Sequence, residues 1–189
     1  MAKNNKNILV FDTETTGLPI RGADIKDCKK WDVCRLVQIA WACYTEQGDL
    51  ISTECYTVRP EGFTIPDEVA KIHGITTKHA ELTGEPVKEV LDKFLAVLSR
   101  AKRVVAHNIE FDYNLICAEL YRATGSIPVF PEKYCTMKEN MGPGQKWLRL
   151  ADLYQKVCGK PVVGWHQADN DVRFCAEIYF KTRLNLNSK

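Results

Sequence analysis

The stretch ILVFDTETTGL, residues 8–18, runs from four apolar residues directly into two acids, threonines and a glycine. Such an apolar run predicts a buried β-strand. Residues two apart in a strand point to the same face, so Asp12 and Glu14 share one. Two carboxylates on one face repel each other unless a cation lies between them, and Mg²⁺ prefers such oxygen ligands. The stretch therefore indicates either a cation site or a solvated strand end.

The chain that follows this strand predicts a mixed sheet flanked by helices. The segments RLVQIAWACY (35–44) and LISTECYTV (50–58) read as strands, and Gly48-Asp49 between them marks a hairpin turn. The first three strands, beginning with residues 7–11, therefore predict an antiparallel meander. Alternating elements follow: helices over 67–73, 87–100, 109–124, 147–159 and 168–184, and a strand over 103–108.

Composition bounds the class of protein. The chain has 189 residues, 45% of them apolar and 26% charged, with a net charge of +2. These values suit one soluble globular domain and are too mild to indicate nucleic-acid binding by themselves. The polar start MAKNNKN lacks the apolar core of a signal peptide, and no apolar run is long enough to span a bilayer. We therefore expect a cytoplasmic location and no membrane partner.

Eight scattered cysteines form no CxxC pair. Without a secretion signal, we expect them to be reduced thiols, several of them core residues. Cys28 and Cys34 resemble half of a zinc site, but no second ligand pair at a familiar spacing accompanies them.

A third acid, Asp112, lies in AHNIEFDYNLI, in the first turn of the predicted helix that Asn108 caps. It shares the inward side of that helix with Leu115 and Ile116. An acid on an inward stripe needs a partner or a metal. The alternative is a first-turn acid that the helix dipole favours.

The segment GWHQADNDVRFCAEIYF supplies His166 and a fourth acid, Asp171. Asp171 aligns with the inward residues Cys175 and Ile178, whereas the neighbouring Asp169 does not. A surface or capping histidine is the alternative for His166. Four acids and one histidine match the needs of a two-metal phosphodiester hydrolase, in which a histidine is suited to take a proton from water.

The three stretches FDTETTGL, HNIEFDYNLI and HQADND resemble the motifs of the DEDDh 3′–5′ exonucleases. This family includes the proofreading subunit of bacterial replicative DNA polymerase, and the resemblance covers nearly all of residues 7–180. It implies an α/β, RNase H-like fold, a five-stranded mixed sheet with helices on both faces. We therefore expect a single exonuclease domain, residues 1–189, with short polar tails.

The resemblance also implies roles for individual residues. Two Mg²⁺ or Mn²⁺ ions would be held by Asp12, Glu14, Asp112 and Asp171. His166 would activate the water that releases 5′-mononucleotides from a 3′ end, on DNA rather than RNA. The expected substrate-binding residues are Thr15, Thr16, Gly17, Leu18, His107, Asn108 and Phe111. Plain core packing is the alternative for Leu18 and Phe111.

The implied partner is a nucleic acid with a free 3′ end, single-stranded or frayed. We expect a monomer or homodimer. The short tail after the last helix favours a free-standing exonuclease, although a polymerase partner is possible. Two loops carry residues suited to contact a strand: Arg21, Lys26, Lys29, Lys30 and Trp31 in residues 19–34, and Lys146, Trp147 and Arg149 in residues 139–150. A charged, solvated loop is the alternative for both.

Two other classes of function compete with this interpretation. A strand ending in Asp-x-acid-x-Thr is similar to the haloacid dehalogenase phosphatases, but those use Asp where this chain has Glu14. A catalytically silent nucleic-acid-binding module would keep the fold without the chemistry. Within the exonuclease interpretation, an RNA-directed enzyme is the alternative to a DNA-directed one.

Overall fold

A five-stranded sheet forms the centre of the protein. The computed structural model describes residues 7–162 and 168–187. The strands are β1 (Asn7–Thr15), β2 (Leu36–Tyr44), β3 (Leu50–Thr57), β4 (Ala101–Ala106) and β5 (Glu132–Cys135), and their order in the sheet is β3-β2-β1-β4-β5. β2 pairs antiparallel with both β1 and β3, whereas β4 pairs parallel with both β1 and β5. The predicted meander and mixed sheet are therefore confirmed.

Seven helices are described around this sheet. They are α1 (Asp67–His73), α2 (Thr77–Thr83), α3 (Val87–Leu98), α4 (Ile109–Thr124), α5 (Thr136–Glu139), α6 (Leu150–Cys158) and α7 (Ala168–Asn187). α6 begins at Leu150 rather than at the predicted Trp147, because Arg149 has an extended backbone (φ −64°, ψ 157°) at the N-cap. β1 continues past the predicted residue 11 because its pairing with β2 continues as far as Thr15.

The two faces of the sheet pack against different helices. On one face, Leu9 and Phe11 of β1 join the main core, to which α3 contributes Phe94 and α4 contributes Leu115. On the other face, Ile8 and Val10 join a second cluster. In that cluster α7 contributes Ala168, Val172, Cys175, Ala176 and Tyr179. Helices therefore cover both faces, as predicted, and the alternation of β1 decides which helix each of its side chains meets.

The parallel strands bring three loops to one edge of the sheet. Because β1, β4 and β5 run in the same direction, their carboxyl ends lie at the same edge. The two acids of β1 lie near this end, α4 begins there after β4, and α5 begins there after β5. This edge is the place where the predicted motifs can meet.

All eight cysteines are free thiols, and five of them are buried. Their expected reduced state therefore agrees with the structure. Among residues 7–162 and 168–187, no helix combines the length and the apolar character that crossing a membrane requires.

Candidate active site

A cluster of three carboxylates lies at the edge of the sheet where β1 ends. Asp12, Glu14 and Asp171 each offer an oxygen atom, and these atoms all lie within 4.8 Å of one another. Asp12 and Glu14 share the α7 face of β1 because they are two residues apart. Asp171 lies in the first turn of α7, where the fully buried Ala168 lets the helix approach the sheet closely.

The fourth acid, Asp112, lies beside this cluster on α4 and is fixed by Thr13. The Oδ1 atom of Asp112 accepts hydrogen bonds from the Thr13 backbone N–H (3.1 Å) and hydroxyl (2.6 Å). Thr13 lies between the two acids of β1, so alternation points it toward α4, which carries Asp112. The carboxylate of Asp112 is buried, and its charge acts on both Asp12 and Glu14.

Burial and the charges of neighbouring acids destabilise the charged forms of Asp12 and Glu14. Burial, followed by the charges of Asp112, Asp171 and Glu14, raises the pKa of Asp12 well above its usual range. Burial and the charges of Asp171 and Asp112 raise the pKa of Glu14 to about 7. Burial also raises the pKa of Asp112 to about 7, although the hydrogen bonds from Thr13 act in the opposite direction. Converging, desolvated carboxylates of this kind suit a hard divalent cation, which supplies the missing positive charge.

A match to a known protein family identifies the class of protein that carries this cluster. The RNase T model, described as an exonuclease, matches residues 9–179 and so includes Asp12, Glu14, Asp112 and Asp171. The chain belongs to this exonuclease family. The haloacid dehalogenase interpretation is therefore set aside.

Two curated relatives of this exonuclease domain are subunits or forms of DNA polymerase III. The epsilon subunit of Aquifex aeolicus is 28% identical over 176 residues, which cover 92% of this chain and 78% of that protein. The PolC-type DNA polymerase III of Mycoplasmopsis pulmonis is 29% identical over 113 residues, 59% of this chain and 7% of that protein.

Solved structures of Escherichia coli exonuclease I share the fold of the exonuclease domain. A zinc-bound complex with single-stranded DNA superimposes with a TM-score of 0.75 at 17% identity, covering 97% of this chain and 42% of exonuclease I. A complex with a 5cy-dT13 oligonucleotide gives a TM-score of 0.74 at 16% identity. This chain thus spans about two fifths of the length of exonuclease I. The likeness shows the RNase H-like fold.

Residues 15–17, directly after the acids, are hydrogen-bonded to one another and to the end of the loop of residues 19–34. The Thr16 hydroxyl donates to the carbonyl of Val33 (3.2 Å) and accepts from the N–H of Arg35 (2.8 Å). The Thr15 hydroxyl donates to the Gly17 carbonyl at 2.8 Å. A Cβ atom at Gly17 would lie 3.1 Å from the Val33 carbonyl oxygen, so a larger residue would require the backbone at Val33 to shift slightly. The roles of Thr15, Thr16 and Gly17 in holding the terminal sugar stay predictions.

Leu18 differs from its neighbours because its side chain is 79% exposed. Core packing, the alternative considered for Leu18, is therefore wrong. Its predicted contact with the last base remains open to test.

His107 binds two neighbouring parts of the exonuclease domain through its ring. Its Nδ1 atom lies 3.0 Å from the Thr136 hydroxyl, and its Nε2 atom lies 3.0 Å from the Leu148 carbonyl oxygen. Because a carbonyl only accepts, Nε2 carries a proton. Asn108 begins α4 in the left-handed region (φ 61°, ψ 46°), without the predicted side-chain capping bond. Phe111 packs partly buried against the main core. Substrate contacts by these three residues stay predictions.

The loop of residues 19–34 is an ordered part of the surface rather than a free chain. Trp31 is 3% exposed, and its Nε1 atom donates to the Asp24 carbonyl, so the stacking role expected for it is wrong. Arg122 of α4 holds the loop by donating to the Asp32 carboxylate (2.7 Å) and the Cys28 carbonyl (3.0 Å). The predicted general base, His166, lies outside the described residues.

We predict that Thr13→Val weakens cation binding about tenfold, within the range found when a group that orients a metal ligand is removed. The change keeps the shape of the side chain and removes the donor of the 2.6 Å bond to Asp112. Calorimetric titration with Mn²⁺ measures the affinity. Thr13→Ser keeps the hydroxyl and should restore it. Equal affinities in all three proteins would show that Thr13 only fills space.

The metal-free protein should lose stability as the pH rises from 6 to 8. The pKa values of Glu14 and Asp112 are raised to about 7 in the folded state, so unfolding releases protons in this range. Stability is then highest below the unfolded pKa values and falls through pH 7. The loss amounts to a few kcal/mol at most, which shifts the melting temperature by several degrees. Thermal unfolding in EDTA measures it, with Glu14→Gln as the variant whose pH dependence should be flatter.

Proposed function

We propose that this chain is a two-metal-ion 3′–5′ exonuclease that releases 5′-mononucleotides from DNA. The carboxylate cluster of Asp12, Glu14 and Asp171, with Asp112 beside it, is the observation that carries the proposal. It lies within the residues that match the exonuclease family. The curated relatives, which are forms of DNA polymerase III, favour DNA over RNA as the substrate.

The acids have the composition of a site for Mg²⁺ or Mn²⁺. Asp12, Glu14, Asp112 and Asp171 would hold the ions, because hard divalent cations select carboxylate oxygens. When bound, such ions stabilise negative charge on the phosphate and its attacking and leaving oxygens. The protein's own contribution is to hold these carboxylates in place, through β1, through Thr13 and through the first turn of α7.

The reaction is hydrolysis of the terminal phosphodiester. His166 takes a proton from water, and the oxygen of that water forms a bond to phosphorus. The bond between phosphorus and the 3′ oxygen of the preceding nucleotide breaks, and that oxygen takes up a proton. The products are a 5′-mononucleotide and a strand shortened by one nucleotide with a free 3′ hydroxyl.

The substrate is a single-stranded or frayed 3′ end. Leu18, which is exposed and follows the acids of β1 in the sequence, would contact the last base. Exonuclease I, which shares the fold, has been crystallised with single-stranded DNA. For this chain, a single-stranded substrate is part of the proposal. The proposal also includes a monomeric or homodimeric state, with or without a polymerase partner.

Degradation of a 5′-labelled oligonucleotide tests this function. With Mg²⁺ or Mn²⁺, we expect a ladder of products shortened from the 3′ end, together with free 5′-mononucleotides. Single-stranded DNA, single-stranded RNA and a mismatched primer-template run in parallel decide the substrate, and faster RNA degradation would favour the exoribonuclease alternative. A 3′-phosphorylated oligonucleotide is the matched control for end recognition. Full activity in EDTA, or internal cleavage, would contradict the proposal.

A further inference from the structure

The segment of residues 140–149 connects α5 to α6 at the edge of the sheet that carries the acids. It has no helix or strand, yet it is held at both ends. At its start, the Asn140 side chain donates to the Thr136 carbonyl (2.8 Å) and accepts from the Thr182 hydroxyl (3.1 Å). At its end, the Leu148 carbonyl oxygen lies 3.0 Å from the ring of His107. The segment is therefore fixed to the same β4–α4 junction that positions Asp112.

Trp147 points out of this fixed segment. Its side chain is 61% exposed, whereas Trp31 and Trp41 are 3% and 0% exposed. The next residue, Leu148, packs against a cluster formed by Leu153 and Tyr154 of α6 and Phe174 and Ile178 of α7, so the backbone that carries the indole is anchored. An exposed indole on an anchored backbone presents a flat apolar surface to a ligand at little cost in conformational entropy.

The charges around Trp147 favour a polyanion. Lys146 directly precedes it, and Arg149 follows two residues later. Arg149 pairs with Asp152 at 2.9 Å on the surface, and no salt bridge to Lys146 is found in the described part of the chain. An aromatic side chain between cations is the combination with which proteins bind single-stranded nucleic acid without reading its sequence.

We propose that Trp147 stacks on a base of the substrate strand, upstream of the nucleotide that is removed. The terminal nucleotide would lie at the carboxylates of β1, whereas Trp147 directly precedes Leu148, whose carbonyl oxygen contacts His107 at the end of the neighbouring strand β4. This inference rests on the proposed function and adds a second point of contact to it. Trp147 would thus set the affinity for the strand and leave the hydrolytic step unchanged.

Comparing a single-nucleotide substrate with an oligonucleotide tests the proposal. For Trp147→Ala, we expect KM for a single-stranded oligonucleotide to rise about tenfold, as when one base–aromatic stack is lost, with kcat unchanged. Hydrolysis of the p-nitrophenyl ester of thymidine 5′-monophosphate, which has no upstream base, should not change. Trp147→Phe keeps a stacking ring and should retain most of the affinity. Met141→Ala, an exposed residue of the same segment, is the matched control.

A binding measurement separates failure of this inference from failure of the proposed function. Fluorescence anisotropy with a labelled oligonucleotide and Ca²⁺ measures affinity without requiring hydrolysis. If the unchanged protein hydrolyses neither substrate, the proposed function fails, and the anisotropy still decides about Trp147. Weaker binding by Trp147→Ala, with the affinities of Trp147→Phe and Met141→Ala close to that of the original protein, supports the stack. Affinities and KM values within twofold of each other in the original protein and Trp147→Ala would overturn it.

Discussion

Asp12→Asn should abolish nuclease activity and, in the absence of metal, make the protein more stable. Asp12 belongs to the carboxylate cluster, and the charges of Asp112, Asp171 and Glu14 all raise its pKa. Divalent cations contribute several kcal/mol to stabilising the transition state, and each 1.4 kcal/mol changes the rate tenfold. We therefore expect kcat to fall by about three orders of magnitude or more. The oligonucleotide assay with Mg²⁺ or Mn²⁺ measures this loss.

The gain in stability has a separate physical cause. Without a cation, the charge on Asp12 is desolvated and repelled by three neighbouring acids, and an amide removes that cost. In EDTA at pH 8, the variant should melt several degrees above the original protein. In excess Mn²⁺ the order should reverse, because only the original protein gains stability from tight binding.

Asp169→Asn is the matched control for this pair of effects. Asp169 is an exposed acid two residues before Asp171 in the same first turn of α7. Its removal should leave both kcat and the melting temperature in EDTA nearly unchanged. A variant at Asp12 that is inactive but less stable in EDTA would indicate a folding role for the carboxylate and would count against a cation site.

The elements that position the acids follow from short-range patterns in the sequence. Alternation along residues 8–18 places Asp12 and Glu14 on one face, and the same period places Thr13 toward α4. The side of α4 that Asp112 shares with Leu115 follows from helical spacing. The contact between Thr13 and Asp112 can therefore be predicted from the sequence, because both residues are assigned to the same face of the sheet.

Long-range contacts explain what the sequence did not reveal. The basic residues around Trp31 predict a surface position for this side chain, yet it is buried. The 19–34 loop folds back on α4, where Arg122 holds it by hydrogen bonds. The extension of β1 to Thr15 depends on its pairing with β2. The ring of His107 is held by Thr136 and Leu148, which lie 29 and 41 residues away. Periodicity and turn residues carry no information on such partners.

Substitution of His166 is the second change with a large expected effect. The place of His166 in the motif HQADND indicates its role, and we propose it as the general base. Removing a positioned base costs about 10²- to 10⁴-fold in rate, so His166→Gln should lower kcat by this factor. Because the histidine is not one of the proposed ligands, Mn²⁺ affinity in calorimetry should stay the same. This separates its role from that of Asp12.

The pH profile distinguishes a base from a residue that only shapes the site. A general base must be neutral to accept a proton, so at a Mn²⁺ concentration that keeps the carboxylates occupied, the rate of the original protein should fall at acidic pH as the His166 imidazole takes up a proton. His166→Gln should lose this acidic limb together with most of its rate. His79→Gln removes an exposed histidine of α2 and should change neither. If His166→Gln instead loses Mn²⁺ affinity or keeps the acidic limb, the proton is taken by another group, and His166 serves the site in some other way.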